Sequence, residues 1–260
     1  MIVTLGEVEI GTGVPALVVP VCARDAASLV AQAGTVLDAA PDVLEWRLDH
    51  LADVTPAAVV RAGRALAEAV DVPVLATFRT AAEGGEREID PMGYLELYRA
   101  LVAERLVGAV DVEIGRGEAV VTEMVATAHA ASVVVVASAH EIDRTPSSEE
   151  IVARLHAMAA CGADLCKMAV MPTSAEDVLT LLAATAEASV RIEQPIITMA
   201  MGGLGVVTRL AGEVFGSAAT FGMVSRASAP GQVDAVALRG VLDLVHAALS
   251  VPDGAAGSST

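Results

Sequence analysis

The chain has 260 residues, of which 54% are hydrophobic and only 2% aromatic, so it can bury a large core of small and branched side chains without disulfides or metals. Its formal net charge of −17 argues against a nucleic-acid or anionic-membrane partner, because phosphate groups are bound by clustered basic side chains. Its three cysteines have no C-x-x-C spacing, and neither a basic signal region nor an apolar run of membrane-spanning length is present, which predicts a cytoplasmic protein.

Short runs rich in Val, Ile and Leu alternate along the chain with Ala-rich stretches of helical period. A hairpin over residues 3–10, turning near Leu5-Gly6, precedes eight predicted strands, at residues 16–22, 43–48, 73–79, 109–114, 132–138, 164–170, 195–201 and 218–224. Predicted helices fall between and after the strands, and they include residues 26–39, 56–69, 94–107, 147–160, 175–188 and 232–249.

Strands that alternate with helices form βαβ units around a parallel sheet. Eight such units predict an α/β fold of the (β/α)8 TIM-barrel type, in a single catalytic domain over residues 1–252. No Gly-x-Gly-x-x-Gly follows the first strand, which weakens the alternative of a dinucleotide-binding sheet. The small and polar residues 253–260 are predicted to form a disordered tail.

Lys167 is the only lysine of the chain, and every other basic side chain is an arginine. It lies in the apolar run 163–170. An ammonium group in apolar surroundings is disfavoured in its charged form, and the free amine that results can attack a carbonyl carbon, which an arginine cannot do. The alternative is a strand-end lysine whose ammonium reaches solvent. The lysine by itself does not decide between the two readings.

Charged and polar side chains accumulate at the carboxyl ends of the predicted strands, the face on which TIM-barrel active sites lie. Glu45 and Arg47 share one face of the second strand because they are two residues apart. Each charge taken singly is explained by solvation or capping, but six of the eight strand ends contribute to the cluster. Its other members are Arg79, Glu83, Asp111, Glu113, His140, Lys167 and Arg209, with Ser228 and Gln232 in a loop that could close over a ligand.

This combination of side chains has a chemical logic. A neutral Lys167 adds to a ketone and, after loss of water, gives an iminium cation that acidifies the neighbouring C–H bond. A histidine such as His140 suits the role of general base, and a carboxylate such as Glu83 could orient it. Planar guanidinium groups suit carboxylates, and the candidates are Arg47, Arg79 and Arg209. The residues therefore predict a Schiff-base lyase or aldolase that acts on a small anionic keto compound.

Several segments resemble the type I 3-dehydroquinate dehydratases, and they occur in the order of that family. They are Glu-Trp-Arg-Leu-Asp-His at 45–50, Thr-Phe-Arg-Thr-Ala-Ala-Glu-Gly-Gly at 77–85, Lys-Met-Ala-Val-Met-Pro at 167–172 and the long stretches 209–222 and 227–232. The resemblance implies a (β/α)8 barrel, usually dimeric, that needs neither a metal nor an organic cofactor. It also implies dehydration of 3-dehydroquinate to 3-dehydroshikimate in the shikimate pathway, the route to chorismate and aromatic amino acids.

The resemblance assigns roles residue by residue. Lys167 is implied to be the Schiff-base lysine that attacks the C3 ketone. His140 is implied to be the base for the C2 proton and the acid for the C1 hydroxyl, with Glu83 as its partner and Asp111 assisting the same network. The implied substrate-holding positions are Glu45, Arg47, Arg79 and the carboxylate-binding Arg209, together with Ser228 and Gln232 of the closing loop.

Three departures from the family pattern are visible, of which one is the turn Met-Gly-Gly-Leu-Gly at 201–205. Glu141 follows the histidine where many relatives have an aspartate, and the first strand offers no hydroxyl side chain. Two rival functions remain. A class I aldolase or transaldolase would share the barrel and the Schiff base, but would need a phosphate cradle after the seventh and eighth strands. A non-catalytic sensing barrel could lose Lys167 or His140, yet both are present.

Overall fold

The computed structural model describes residues 1–224 and 228–251. The predicted disordered tail, residues 253–260, lies outside the described residues, as does Ala227 at the start of the segment 227–232. Within the two described ranges, no helix is both long enough and apolar enough to cross a membrane.

The strands form a hairpin and a parallel sheet. Strands β1 (Val3–Leu5) and β2 (Val8–Ile10) pair in antiparallel fashion and confirm the predicted hairpin. The parallel strands are β3 (Ala16–Val21), β4 (Val43–Arg47), β5 (Val74–Thr77), β6 (Ala109–Glu113), β7 (Val134–Glu141), β8 (Leu165–Val170), β9 (Ile196–Ala200), β10 (Ala219–Met223) and the short β11 (Val233–Asp234).

The strand order shows how the sheet closes. Strands β3 to β9 are neighbours in chain order. Strand β10 pairs with β3, and the short β11 pairs in parallel with the other edge of β10. A parallel bridge between Ile196 and Ser217 joins β9 to the chain entering β10. The amide of Ala218 donates to the carbonyl of Ile196 at 2.8 Å across the same seam. All eight predicted barrel strands are present, and the predicted (β/α)8 barrel is confirmed.

Helices cover the outside of the barrel. They are α1 (Ala26–Leu37), α2 (Pro56–Ala69), α3 (Pro91–Ala103), α4 (Glu118–Ala130), α5 (Ser148–Ala160), α6 (Ala175–Arg191), α7 (Val206–Leu210) and α8 (Ala235–Leu249). Helix α3 begins three residues before its predicted start because the Asp90 carboxylate caps the amides of Met92 and Gly93, and Pro91 is tolerated in the first turn.

One further helix and one strand differ from the sequence prediction for identifiable reasons. Helix α4 was not among the predicted helices; its exposed face carries apolar residues such as Ala119 and Ala126, which weakens the helical pattern. Strand β7 was predicted at 132–138, but Ser132 has a left-handed φ of 60° and belongs to the preceding turn. The strand extends at its other end to Glu141, which pairs with Val170 of β8. The extension places His140 within the strand.

The interior of the barrel has two layers of different character. At the amino-terminal end, inward-facing side chains form an apolar layer of Val18, Val43, Leu75, Ala109, Val136, Leu165, Ile197 and Ala219. The β1–β2 hairpin covers this layer with Val3, Leu5 and Ile10. Gly108 leaves room for the hairpin, because a Cβ there would lie 2.8 Å from Cδ1 of Leu5. Since side chains alternate along a strand, the next inward positions form a second layer, and there the charged residues lie.

Candidate active site

The charged layer lies at the carboxyl ends of β4 to β8. Its inward-facing members come from alternate positions of these strands and, in one case, from the second residue after β5. They are Glu45 and Arg47 on β4, Arg79 after β5, Asp111 and Glu113 on β6, Ser138 and His140 on β7 and Lys167 on β8. All except His140 are buried. The structure therefore brings together the residues that the sequence analysis placed at one end of the barrel.

Lys167 has charged surroundings rather than the apolar ones that its neighbours in sequence suggest. Its Nζ donates to Oδ2 of Asp111 at 3.1 Å and lies 3.8 Å from Oε1 of Glu45. The ring of Phe221 lies on another side, with its centroid 4.5 Å from Nζ. Of the apolar residues in the run 163–170, Cys166, Met168 and Val170 face away from Lys167 and pack outside the barrel. Leu165 and Ala169 share its inward face, in the lower layer and on the cavity wall respectively. A proton that leaves the ammonium has carboxylate oxygens within reach.

Asp111 reaches Lys167 across an intervening strand. Strand β7 separates β6 from β8, and its inward residue at this level is Ser138, the register partner of both Glu113 and Lys167. The Ser138 hydroxyl donates to Oδ1 of Asp111 at 2.5 Å. Burial disfavours the Asp111 carboxylate, but the cations of Arg79 and Lys167 and the Ser138 hydroxyl outweigh it and lower the pKa of Asp111.

Arg79 links the carboxylates of this layer. Its Nη2 donates to both oxygens of Asp111 at 2.9 Å, and its Nη1 donates to Glu113 at 2.8 Å and to Glu83 at 3.4 Å. Burial disfavours the Arg79 cation, but these carboxylates outweigh it and raise the pKa of Arg79 above its ordinary value. Both terminal nitrogens are therefore engaged within the protein, although Arg79 also lines the cavity described below.

Glu83 and His140 form a second pair. Oε2 of Glu83 lies 2.8 Å from Nδ1 of His140, which leaves Nε2 without a hydrogen-bond partner among the described residues. The pair spans 57 residues of sequence and joins the loop after β5 to the end of β7. A histidine that donates its Nδ1 proton to a carboxylate presents a basic Nε2 on its other side.

Burial favours the neutral form of each member of this pair. Burial is the main cause that holds the pKa of His140 well below its ordinary value, and the Arg79 and Lys167 cations add to it. Burial also raises the pKa of Glu83 to about 8; the carboxylates of Glu113 and Asp111 raise it further, whereas Arg79 opposes the shift.

Arg209, in helix α7, differs from the other arginines of the site. Among the described residues its guanidinium contacts no carboxylate; it donates to the backbone oxygens of Phe221 at 3.3 Å and Pro230 at 3.4 Å and contacts the sulfur of Met199. Its Nε is buried without a partner in the described part of the chain. Burial lowers the pKa of Arg209 to about 10. A buried guanidinium in this state is suited to binding an anion.

These groups open onto one cavity of about 240 Å³ at the carboxyl end of the barrel. Its charged and polar wall contains every predicted site residue except the deeper Asp111, namely Glu45, Arg47, Arg79, Glu83, His140, Lys167, Arg209, Ser228 and Gln232. Arg47 is held by a two-pronged contact with Asp49, whose oxygens accept from Nε at 2.9 Å and Nη2 at 2.7 Å. Ser228 and Gln232 hydrogen-bond each other across their loop.

Sequence reasoning missed the apolar wall of this cavity and part of its support. Met171, Met199, Met201 and Phe221 line it, and their inward positions follow from strand alternation once the strand boundaries are known. Asp49 also had no assigned role, although it lies two residues after Arg47 in the motif at 45–50. Within residues 1–224 and 228–251, no group of three or more His, Cys, Asp or Glu side chains is placed to hold a metal ion.

Comparison with known proteins agrees with this arrangement. The sequence model of the type I 3-dehydroquinase family matches residues 17–248. Curated 3-dehydroquinate dehydratases of Escherichia coli strains are 48% identical over 249 residues, covering 95% of this chain and 99% of the relative.

Solved structures give the same result. A type I 3-dehydroquinate dehydratase from Clostridium difficile, with covalently modified comenic acid, superposes with a TM-score of 0.93 at 41% identity, covering 95% of this chain and 99% of the other. The 3-dehydroquinate dehydratase of Geobacillus kaustophilus gives a TM-score of 0.92 at 36% identity, over 95% of this chain and 97% of the other. This chain belongs to the type I 3-dehydroquinase family.

Proposed function

We propose that this chain, as a single catalytic domain over residues 1–252, is a 3-dehydroquinate dehydratase, a hydro-lyase that forms 3-dehydroshikimate through an iminium on Lys167. The observation that carries the proposal is the content of one cavity. A lysine amine, a histidine–glutamate pair and a guanidinium without a carboxylate partner in the described chain all open onto it. Membership of the family supports the same substrate and reaction.

The first step is addition of the Lys167 amine to the C3 ketone of the substrate. The ammonium must first lose a proton, and Asp111 and Glu45 offer oxygens for it. The carbinolamine that forms then loses water and gives an iminium, which carries a positive charge where the ammonium had one. The two carboxylates therefore stabilise the intermediate as they stabilise the free ammonium, and the iminium draws electrons from the adjacent carbon.

The second step is the elimination itself. Nε2 of His140 takes a proton from C2, the electron pair moves toward the iminium, and the C1 hydroxyl leaves as water with the proton that His140 returns. Hydrolysis of the resulting iminium uses one water, which replaces the one lost on its formation, so that the net change is loss of one water. The lowered pKa of His140 keeps its imidazole neutral and able to accept the first proton.

The remaining residues of the cavity wall are proposed to hold the substrate. Arg209 is the group suited to the substrate carboxylate, because the described protein offers it no carboxylate of its own. A class I aldolase acting on a sugar phosphate would need several donors around the phosphate, and Arg209 is here surrounded by Met199, Phe221 and Pro230. The hydroxyl groups of the substrate would meet Glu45, Arg47, Arg79, Ser228 and Gln232, which line the same cavity.

Borohydride trapping tests the proposed chemistry directly. Incubation with 3-dehydroquinate and reduction should attach the substrate or product covalently to the peptide that contains Lys167, with loss of activity. The only other primary amine is that of Met1, at the opposite end of the barrel, where it bonds the carbonyl of Glu193. Lys167→Met, of similar length but without an amine, should reduce turnover to background. A folded protein that turns over substrate without an adduct would contradict the proposal.

The role of Arg209 can be tested by keeping its charge and removing its planar shape. Arg209→Lys should raise KM about 10- to 100-fold, with a smaller change in kcat, because a two-pronged contact with a carboxylate becomes a single one. Arg64→Lys, at an exposed ion pair with Glu104, is the matched control and should leave both constants unchanged. Steady-state kinetics measures both variants. An unchanged KM in Arg209→Lys would place the substrate carboxylate elsewhere.

The raised pKa of Glu83 predicts a pH dependence of stability. The raised pKa of Glu83 stabilises the fold fully below the ordinary value of 4.5, and the contribution is lost as pH rises through about 8. From about pH 6 to 8 the free energy of unfolding of the wild type should therefore fall relative to Glu83→Gln, by up to about 1.4 kcal/mol per pH unit. Urea denaturation measures the difference. Glu96→Gln, at an exposed site, is the control and should show no such trend. A constant difference for Glu83→Gln would contradict the raised pKa of Glu83.

We also infer that the protein is a cytoplasmic homodimer without a nucleic-acid partner, as the family resemblance and the acidic composition suggest. Exposed apolar side chains support a second copy as the partner. Helix α8 exposes Val236 and Leu244, which are 63% and 70% accessible, on the face that also carries Gly240. Val207 and Val214, on the neighbouring α7 and the turn after it, are exposed as well. Exposed apolar groups of this density typically mark an interface.

The proposed dimer can be tested by measuring the molecular mass of the protein in solution. Sedimentation equilibrium should give about twice the chain mass of 26.4 kDa for the wild type. Leu244→Glu should move the protein toward the monomer at the same concentration, because it places a charge in the apolar contact. Leu179→Glu makes the same change at an exposed position of α6 and is the control. A dimer that Leu244→Glu leaves intact would place the interface on another surface.

A further inference from the structure

The carboxylate of Glu83 reaches His140 from the loop between β5 and α3. This loop turns on the backbone oxygen of Thr80, which accepts the amide of Glu83 at 3.0 Å and the amide of Gly85 at 2.8 Å. The backbone at Gly85 passes close to the start of the loop, since a Cβ at Gly85 would lie 1.9 Å from the carbonyl oxygen of Arg79. The position of Glu83 therefore depends on the position of Thr80.

Thr80 in turn is held by a single buried carboxylate. Its amide donates to Oε1 of Glu113 at 2.9 Å, and its hydroxyl donates to Oε2 at 2.7 Å. Both residues are 1% exposed, so that no solvent competes for these bonds. Two bonds from one residue to the two oxygens of one carboxylate fix both the position and the orientation of Thr80. Glu113 is not part of the cavity wall and does not contact the substrate space.

We propose that Glu113 and Thr80 are positioning residues that hold Glu83 on Nδ1 of His140 and thereby aim Nε2 into the cavity. The inference rests on the proposed function, because it gives the pair a part in proton transfer. The path consists of four contacts: the two from Thr80 to Glu113, the one from Glu83 to the Thr80 carbonyl, and the one between Glu83 and His140. A shift of the loop start would separate the carboxylate from the imidazole.

A simpler role for Glu113 is to neutralise the charge of Arg79. Glu113 also accepts a hydrogen bond from Nη1 of Arg79 at 2.8 Å. The two roles can be separated, because the Thr80 hydroxyl contacts Glu113 and not the guanidinium. Replacing Thr80 by valine keeps the size and branching of the side chain and removes only the hydroxyl. Arg79 keeps all its carboxylates in that variant. The buried Oε2 of Glu113 loses its donor, which favours displacement of the loop.

The test is a double-mutant cycle of Thr80→Val with Glu83→Gln, measured by kcat on 3-dehydroquinate. Thr80→Val alone should lower kcat roughly 10- to 100-fold, with little change in KM, because it removes the charge-assisted hydrogen bond from the Thr80 hydroxyl to Glu113. In the Glu83→Gln background it should have almost no further effect, because the residue through which it acts is already lost. The pH profile of Thr80→Val should also move toward that of Glu83→Gln.

Controls distinguish positioning from general destabilisation. Thr185→Val removes another buried threonine hydroxyl, bonded to Thr198 and the carbonyl of Leu181, and should lower stability without changing kcat. Glu113→Gln keeps an acceptor for the Thr80 amide and is the second variant if Thr80→Val does not fold. Fully multiplicative effects in the cycle, or a normal kcat in Thr80→Val, would overturn the inference. Inactive wild-type protein would instead overturn the proposed function.

Discussion

The contacts of the Arg79 guanidinium join the two halves of the active site. One terminal nitrogen donates to Asp111, which in turn accepts from Lys167. The other terminal nitrogen donates to Glu113 and Glu83, and Glu83 contacts His140. Removing so many charges from water costs several kcal/mol for each ion, and pairing among them offsets much of this cost. The pairing within this network leaves few alternative arrangements for Lys167 and His140. Their relative positions follow from this network more than from the packing of apolar groups.

The barrel separates the groups that stabilise it from those that make it chemically active. The apolar lower layer and the hairpin over it exclude water from the amino-terminal end, while the layer above carries only charged and polar inward positions on β4, β6 and β7. Such a layer contributes little net stability, because its Coulombic gains offset desolvation. The core that compensates for it lies mostly between the strands and the surrounding helices. The site can therefore keep Arg209 without a carboxylate partner in the described chain, ready for an anion.

The surroundings of Lys167 differ from those that its place in the sequence suggests. The apolar run around it suggested an amine made reactive by desolvation. The adjacent Cys166 and Met168, however, face the other side of the strand, and the Lys167 side chain contacts Asp111, Glu45 and Phe221. The carboxylates that stabilise the ammonium also stabilise the iminium, so the same pairing serves both charged states. The attack needs only a brief transfer of one proton.

The sequence by itself determined the barrel, the family and the set of residues at its carboxyl end, because strand periodicity and short motifs are local properties that survive without coordinates. It did not determine which charges pair. Asp111 reaches Lys167 across β7, and Glu83 meets His140 over 57 residues of sequence. Arg79, expected to hold substrate, has both terminal nitrogens engaged by protein groups, whereas Arg209 has no carboxylate among the described residues. Such choices depend on closure of the barrel, on the path of each loop and on competition among neighbouring charges, and only the tertiary structure decided them.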